Sequence, residues 1–198
     1  AETAVRRARR LRLPRLRRAS LFVIALVALV YLLAGLPYAI GGKNARLPTY
    51  ELRPVSLALP DGVTLGQLED ARVDEVVDGD TIAVTLEDGK RVVVRYFGVD
   101  TPERGDRCFR EATERNRRLV GEEVLLLEDA RTKDAFARSL RYVFTPDGVS
   151  IDATLVAEGL GMAWRKDGRY RDGIIALEDE ARVGHRGCLW PAVPTPEG

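Results

Sequence analysis

Between residues 72 and 99, three apolar runs alternate with two Asp-Gly turns: RVDEVV, DGDT, TIAVTL, EDGK and RVVVRYFGV. An Asp-Gly turn between alternating runs is a strong hairpin signal, and period-two alternation makes each run a half-buried strand. The segment therefore reads as a three-stranded antiparallel meander. Beyond it, CFREATERNRRLV has helical spacing and stops at Gly121, while EVLLLE and SLRYVF read as a fourth and a fifth strand. IDATLVAEG and IIALEDEARVG read as helices, the second with Ile174, Leu177 and Ala181 on one face. The order β-β-β-α-β-β-α-α predicts an α+β fold: five strands closing as a small barrel, decorated by three helices.

The flanks differ in character. Residues 1–20 hold eight arginines and one acid and read as a basic cytoplasmic arm. They run into 20 residues without a charge, Leu21 to Ile40, enough for a helix to cross a bilayer core. Arginines before the apolar run predict a cytoplasmic N-terminus and a C-terminal portion outside the cytoplasm, as a single-pass anchor at the cell membrane. The rival reading is a cleaved signal peptide with a site at Ala39-Ile40-Gly41, which would release a secreted domain. Residues 41–70, with prolines at 48, 54 and 60, read as a linker; 71–191 form the folded domain and 192–198 a short tail.

Net charge is +1 for the whole chain, but without the arm 23 basic and 29 acidic residues remain, a net of −6. A general nucleic-acid binder carries a basic excess that this domain lacks, so a polyanion would have to be handled by local arginines and a metal ion. The two cysteines, Cys108 and Cys188, are either buried free thiols or, in an exported domain, a disulfide tying the start of a helix to the C-terminal end.

The acids fall in two places. Asp78 and Asp80 sit on the first hairpin, and Asp100 and Glu103 leave the third strand around Thr101-Pro102. In an antiparallel meander the start of the second strand and the end of the third share one end of the sheet, so Asp80 and Asp100 can face each other. Paired carboxylates with a backbone carbonyl at Thr101 are hard oxygen donors of the kind that suit Ca²⁺. Arg95, inside an apolar strand, must reach either water or an anion. Arg138 precedes the fifth strand, and its planar fork suits phosphate.

The segments VVDGDTIAV, VRYFGVDTPE, DAFARSLRYVF, LVAEGLGMAW and ARVGHRGCLW follow the order and spacing of the staphylococcal nuclease family, over roughly residues 71–190. The resemblance implies a five-stranded OB-fold barrel with three helices and a Ca²⁺-dependent phosphodiesterase that cuts DNA and RNA with little sequence preference. It implies that Asp80, Asp100 and the Thr101 carbonyl hold the metal. It further implies that Glu103 is the general base, and that Arg95 and Arg138 bind the phosphate. Other divalent ions, Mn²⁺ among them, suit the same oxygen donors.

The sequence also departs from the family. The loop after Glu103 is short, Phe136 stands where the family often has Tyr, and Ala137 stands where Gly is usual, which bears on Arg138 if positive φ is needed there. Phe136, Arg165, Lys166 and Tyr170 are the candidate substrate contacts, with Arg169 beside them. Trp164 and Trp190 read as packing residues and His185 as a surface residue. Two further classes compete with a monomeric exported nuclease. One is a catalytically inactive OB-fold module that binds nucleic acid or protein at the membrane; the other is an exported domain whose acids bind Ca²⁺ only for stability.

Overall fold

The computed structural model describes residues 54–192. The basic arm, the apolar segment 21–40 expected to span a membrane and the first part of the linker lie outside the described residues. Among the described residues no helix is long and apolar enough to cross a membrane.

The expected meander is present. Strands β1 (Glu69–Val76), β2 (Thr81–Leu86) and β3 (Arg91–Tyr96) pair antiparallel, with a bulge in β1 between Val73 and Glu75. Two residues then form β4 (Val99–Asp100), followed by helix α1 (Phe109–Val120) and strands β5 (Glu123–Leu127) and β6 (Ser139–Phe144). Helix α2 (Ile151–Ala157), strand β7 (Met162–Ala163) and helix α3 (Arg171–Val183) complete the chain. A closed barrel runs β1-β2-β3-β6-β5 and back to β1; β3 and β6 are parallel, with Val94 opposite Ser139. The inward residues Ile82, Val84, Val94, Tyr96, Val124, Tyr142 and Phe144 are essentially inaccessible to water.

Three local expectations change. The third strand was read through to Val99, yet β3 ends at Tyr96. Asp152 on α2 takes the Gly98 N–H (2.7 Å) and the Val143 N–H (3.0 Å), which turns the chain off the barrel, and β4 pairs with β7 instead. On α3 the inward face carries Ile174, Glu178 and Ala181, while Leu177 is half-buried. Glu178 is tolerated there because the Ala163 N–H and Arg182 donate to it and Arg165 forms an ion pair with it. The described part of the expected linker, residues 54–70, lies on the barrel. Val55 is tied to α2 through Ser150 N–H and Thr154 Oγ1, Leu57, Leu59 and Val63 pack against the core, and β1 begins at Glu69. Apolar residues at alternate positions 55, 57 and 59 explain why this stretch is not free.

Cys108 and Cys188 form a disulfide, with Cα atoms 5.7 Å apart. It joins the residue capping α1 to the segment after α3, and neither cysteine is a free thiol.

Candidate active site

The β1–β2 hairpin places Asp80 at the barrel rim, where its carbonyl accepts the Tyr96 N–H from β3 (2.8 Å). Gly79 is required between the two aspartates: a Cβ there would lie 2.5 Å from Thr101 Oγ1 and 2.9 Å from Ala112 Cβ. That close approach brings the hairpin against Thr101. The Asp80 carboxylate accepts both the Thr101 N–H (2.7 Å) and the Thr101 hydroxyl (2.8 Å) at Oδ2, and the Thr81 hydroxyl (3.1 Å) at Oδ1. Asn116 on α1 holds the hairpin from behind, donating to the Asp78 carbonyl and accepting the Tyr96 hydroxyl.

Arg95 joins the two aspartates. Its Nε lies 3.0 Å from Asp80 Oδ1 and its Nη2 donates to Asp100 Oδ1 at 2.6 Å, while Nη1 donates to the carbonyls of Tyr96 and Val99. With three N–H groups hydrogen-bonded and Nε against Asp80, little of the guanidinium is left for a ligand. Burial pushes the Asp80 carboxyl up to about 6, against the pull of Arg95 and the Thr101 hydrogen bonds. Asp80 is thus a buried acid that needs a positive neighbour. Asp100 is more open, with half its side chain accessible.

Arg138 is arranged differently. Its Nε donates to Asp134 Oδ2 (2.6 Å), and Asp134 Oδ1 accepts the backbone N–H groups of Phe136 and Arg138 (both 2.9 Å). Partial burial opposes ionisation of Asp134, but these hydrogen bonds from Arg138 and Phe136 outweigh it and hold the acid below the usual carboxylate range. Among the described residues both Nη groups of Arg138 lack a partner, leaving four donors. Ala137 adopts φ 63°, the positive φ that the sequence pattern made an issue at this position. The turn projects Phe136 outward, 82% exposed.

Arg95, Asp100, Glu103 and Arg138 line one cleft of about 600 Å³, with Phe136 and Lys166 on its walls. Glu103 is exposed there, on the turn closed by Asp106 N–H to the Glu103 carbonyl. Of the candidate substrate contacts, two do not line it. Arg165 is paired with buried Glu178, and Tyr170 packs edge-on against Tyr142 with ring centroids 4.7 Å apart. Arg169 is held by Asp129, and His185 is exposed, as expected.

Sequence reasoning missed one wall of the cleft. Trp164, read as a packing residue, lines it together with Arg131 and Asp167. Arg131 donates to Asp167 through Nε (2.7 Å) and Nη2 (2.8 Å) and lies over Phe97 and Trp164; the Trp164 indole N–H also donates to Asp167 (2.7 Å). The hydrogen bonds from Arg131, with that from Trp164, hold Asp167 down at about 2. Nothing in the sequence links positions 131 and 167, whereas Asp134, four residues before Arg138 in a turn, had a legible signal. Trp190, by contrast, lies beneath Arg182 away from the cleft.

The chemistry of the donor set fits a hard divalent cation. Asp80, Asp100 and the Thr101 carbonyl are all oxygen donors, and both carboxylates already converge on one positive charge, that of Arg95. Among the described residues no group of three or more acidic, His or Cys side chains forms a metal cluster.

The model of the family described as "Staphylococcal nuclease homologue" matches residues 93–192. The chain is 35% identical over 127 residues to Endonuclease YncB of Bacillus subtilis (strain 168), covering 59% of this chain and 59% of that protein. It is 36% identical over 127 residues to the SPbeta prophage-derived endonuclease YokF of the same organism, covering 59% of this chain and 42% of that protein. To the Thermonuclease of Staphylococcus hyicus it is 33% identical over 120 residues, 56% of this chain and 70% of that one. The chain therefore spans about half the length of the two Bacillus relatives. With the closed five-stranded barrel, its three helices and the rim carrying Asp80, Arg95, Asp100, Glu103 and Arg138, these matches make the chain a member of the staphylococcal nuclease family.

Proposed function

We propose that the domain hydrolyses phosphodiester bonds of DNA or RNA in the cleft between Glu103 and Arg138. The observation that carries this reading is the convergence of one exposed carboxylate, one open guanidinium and one locked guanidinium on a single cavity. Arg138 supplies up to four donors to the phosphate, and its charge counts most where negative charge grows in the transition state. Arg95 contributes its remaining N–H and keeps Asp80 and Asp100 together. Glu103 takes the proton from the attacking water, and a positioned base of this kind contributes about 10²–10⁴-fold in rate. Asp80, Asp100 and the Thr101 carbonyl would hold Ca²⁺ or a similar divalent ion, which when bound polarises the phosphoryl group.

The proposal extends to location. Twenty uncharged residues at 21–40 behind eight arginines suit a membrane anchor with the domain outside the cytoplasm, or a secreted domain if the segment is removed. The Cys108–Cys188 disulfide suits the same oxidising side. We take the working form as a monomer, since one chain supplies every group named.

The test incubates the full chain with single-stranded DNA and with RNA, in Ca²⁺ or in chelator, beside Glu103→Gln. Cutting that needs both the ion and Glu103 supports the reading. A folded wild type that cuts nothing across several divalent ions overturns it in favour of an inactive binding module.

A further inference from the structure

A second groove, of about 620 Å³, shares Phe136 and Arg138 with the catalytic cleft, so the two cavities meet at that loop. Its floor is the outer face of β3 and β6, where Val93 is 43% exposed. Its sides carry Lys90, from the β2–β3 turn, and Lys133, which is bridged to Ser139 at the start of β6.

The charge of this groove runs against that of the domain. Residues 21–198 carry a net −6, but here Lys90, Lys133, Arg138 and Arg141 face only Glu69 and Asp88. Arg141 is already spent on Glu69 and Glu128, and Arg138 on Asp134 and the cleft. Lys90 and Lys133 are exposed and, among the described residues, unpaired. Two free ammonium groups flanking an exposed aromatic ring and an apolar floor match the features that bind unpaired strands: cations track the phosphates, and the ring offers a stacking face to any base. A duplex hides its bases and would leave Phe136 and Val93 facing its backbone.

We propose that this groove carries the single-stranded polynucleotide as it leaves the catalytic cleft, with bases over Phe136 and Val93 and phosphates at Lys90 and Lys133. The inference rests on the nuclease reading of the cleft, which it extends from one scissile phosphate to a longer strand. Lys90 and Lys133 are then contacts that set preference for substrate length without reaching the reacting atoms.

The experiment uses the full chain and a fluorescein-labelled 20-nucleotide oligo(dT), with anisotropy read in chelator so that no strand is cut. Wild type is compared with Lys90→Ala/Lys133→Ala from 50 to 200 mM salt. Two lost phosphate contacts should reduce the slope of log K against log salt by about 1.4, at about 0.7 per single-strand contact. In Ca²⁺ the same variant should show a raised KM for the 20-mer but wild-type kcat/KM on a dinucleotide, which fills the cleft alone. An unchanged slope overturns the proposal, as does equal loss on the dinucleotide. A 20-base-pair duplex bound as tightly, with the same dependence on the two lysines, overturns the single-strand assignment. If wild type cuts nothing and the slope still falls, the catalytic reading fails while the groove stands.

Discussion

Arg95 Nε stands 3.0 Å from Asp80 Oδ1, with both side chains almost wholly buried. Arg95 is therefore as much a part of the fold as of the cleft, which Arg138, a third exposed, is not. Removing one member of a buried pair strands the other charge and costs about 3–5 kcal/mol. Arg95→Met should lose stability on that scale in urea unfolding. Arg138→Met should lose less than about 1 kcal/mol, since its pair with Asp134 is partly solvated. Both should lower turnover steeply. Equal stability of the two variants would refute the distinction.

Ala137 holds φ 63° in a loop that needs positive φ to bring Arg138 back onto Asp134. The left-handed region costs a residue with a Cβ about 1–2 kcal/mol. Part of that is returned in the unfolded chain, where glycine is freer. Ala137→Gly should stabilise the protein by about 1 kcal/mol, raising Tm by about 3 °C for a domain of this size. Ala137→Val should lower it. A scanning calorimetry comparison decides the matter, and a lower Tm for the glycine variant would mean that the loop is not strained at Ala137.

What the sequence made legible was whatever is local. Asp80 and Asp100 are joined by two consecutive hairpin strands, so their shared end followed from the meander. Arg138 and Phe136 lie together in DAFARSLRYVF, one of the short segments that carry the family resemblance. The break after Tyr96 was not legible, because the group causing it, Asp152, is 54 residues from Gly98. The Arg131–Asp167 pair spans 36 residues and two loops, and neither residue sits in a periodic run. The burial of Glu178 had no signal in the sequence, since polarity usually means exposure; two hydrogen bonds and an ion pair with Arg165 explain it. Arg165 and Tyr170 share with Lys166 the RKDGRY stretch, the region that the family resemblance places beside the nucleotide. The backbone turns between them, so sequence neighbours face different ways.

Asp152 is wholly buried and holds the N–H groups of Gly98 and Val143, one at each oxygen. Each buried donor left without an acceptor costs about 1–3 kcal/mol. Asp152→Ala should destabilise by about 3 kcal/mol or more. Asp152→Asn keeps one acceptor and should lose less. Because Gly98 leads directly into Val99–Asp100, the alanine variant should also speed amide hydrogen exchange at Gly98 and Val143 ahead of the rest of the barrel. Uniform acceleration throughout would instead mark simple global loss of stability.

Asp167 offers a pH test of the missed wall. Its carboxyl is held at about 2, chiefly by hydrogen bonds from Arg131, against an ordinary value of 3.8. A folded-state value below the unfolded one means that the folded chain binds fewer protons in that window. The stabilisation is therefore complete above about pH 4 and is lost as pH falls toward 2. Since 41% of the side chain is accessible, solvent screens the pair and the effect on Tm should be modest. Tm should be recorded for wild type and Asp167→Asn from neutral pH down to the limit of reversible folding. The gap between them should stay constant above pH 4 and narrow below it. Tryptophan fluorescence should report the same titration, because the Trp164 indole N–H shares the carboxylate. A gap that keeps its width in acid would assign Asp167 to packing alone and remove the charge from Arg131's place on the cleft wall.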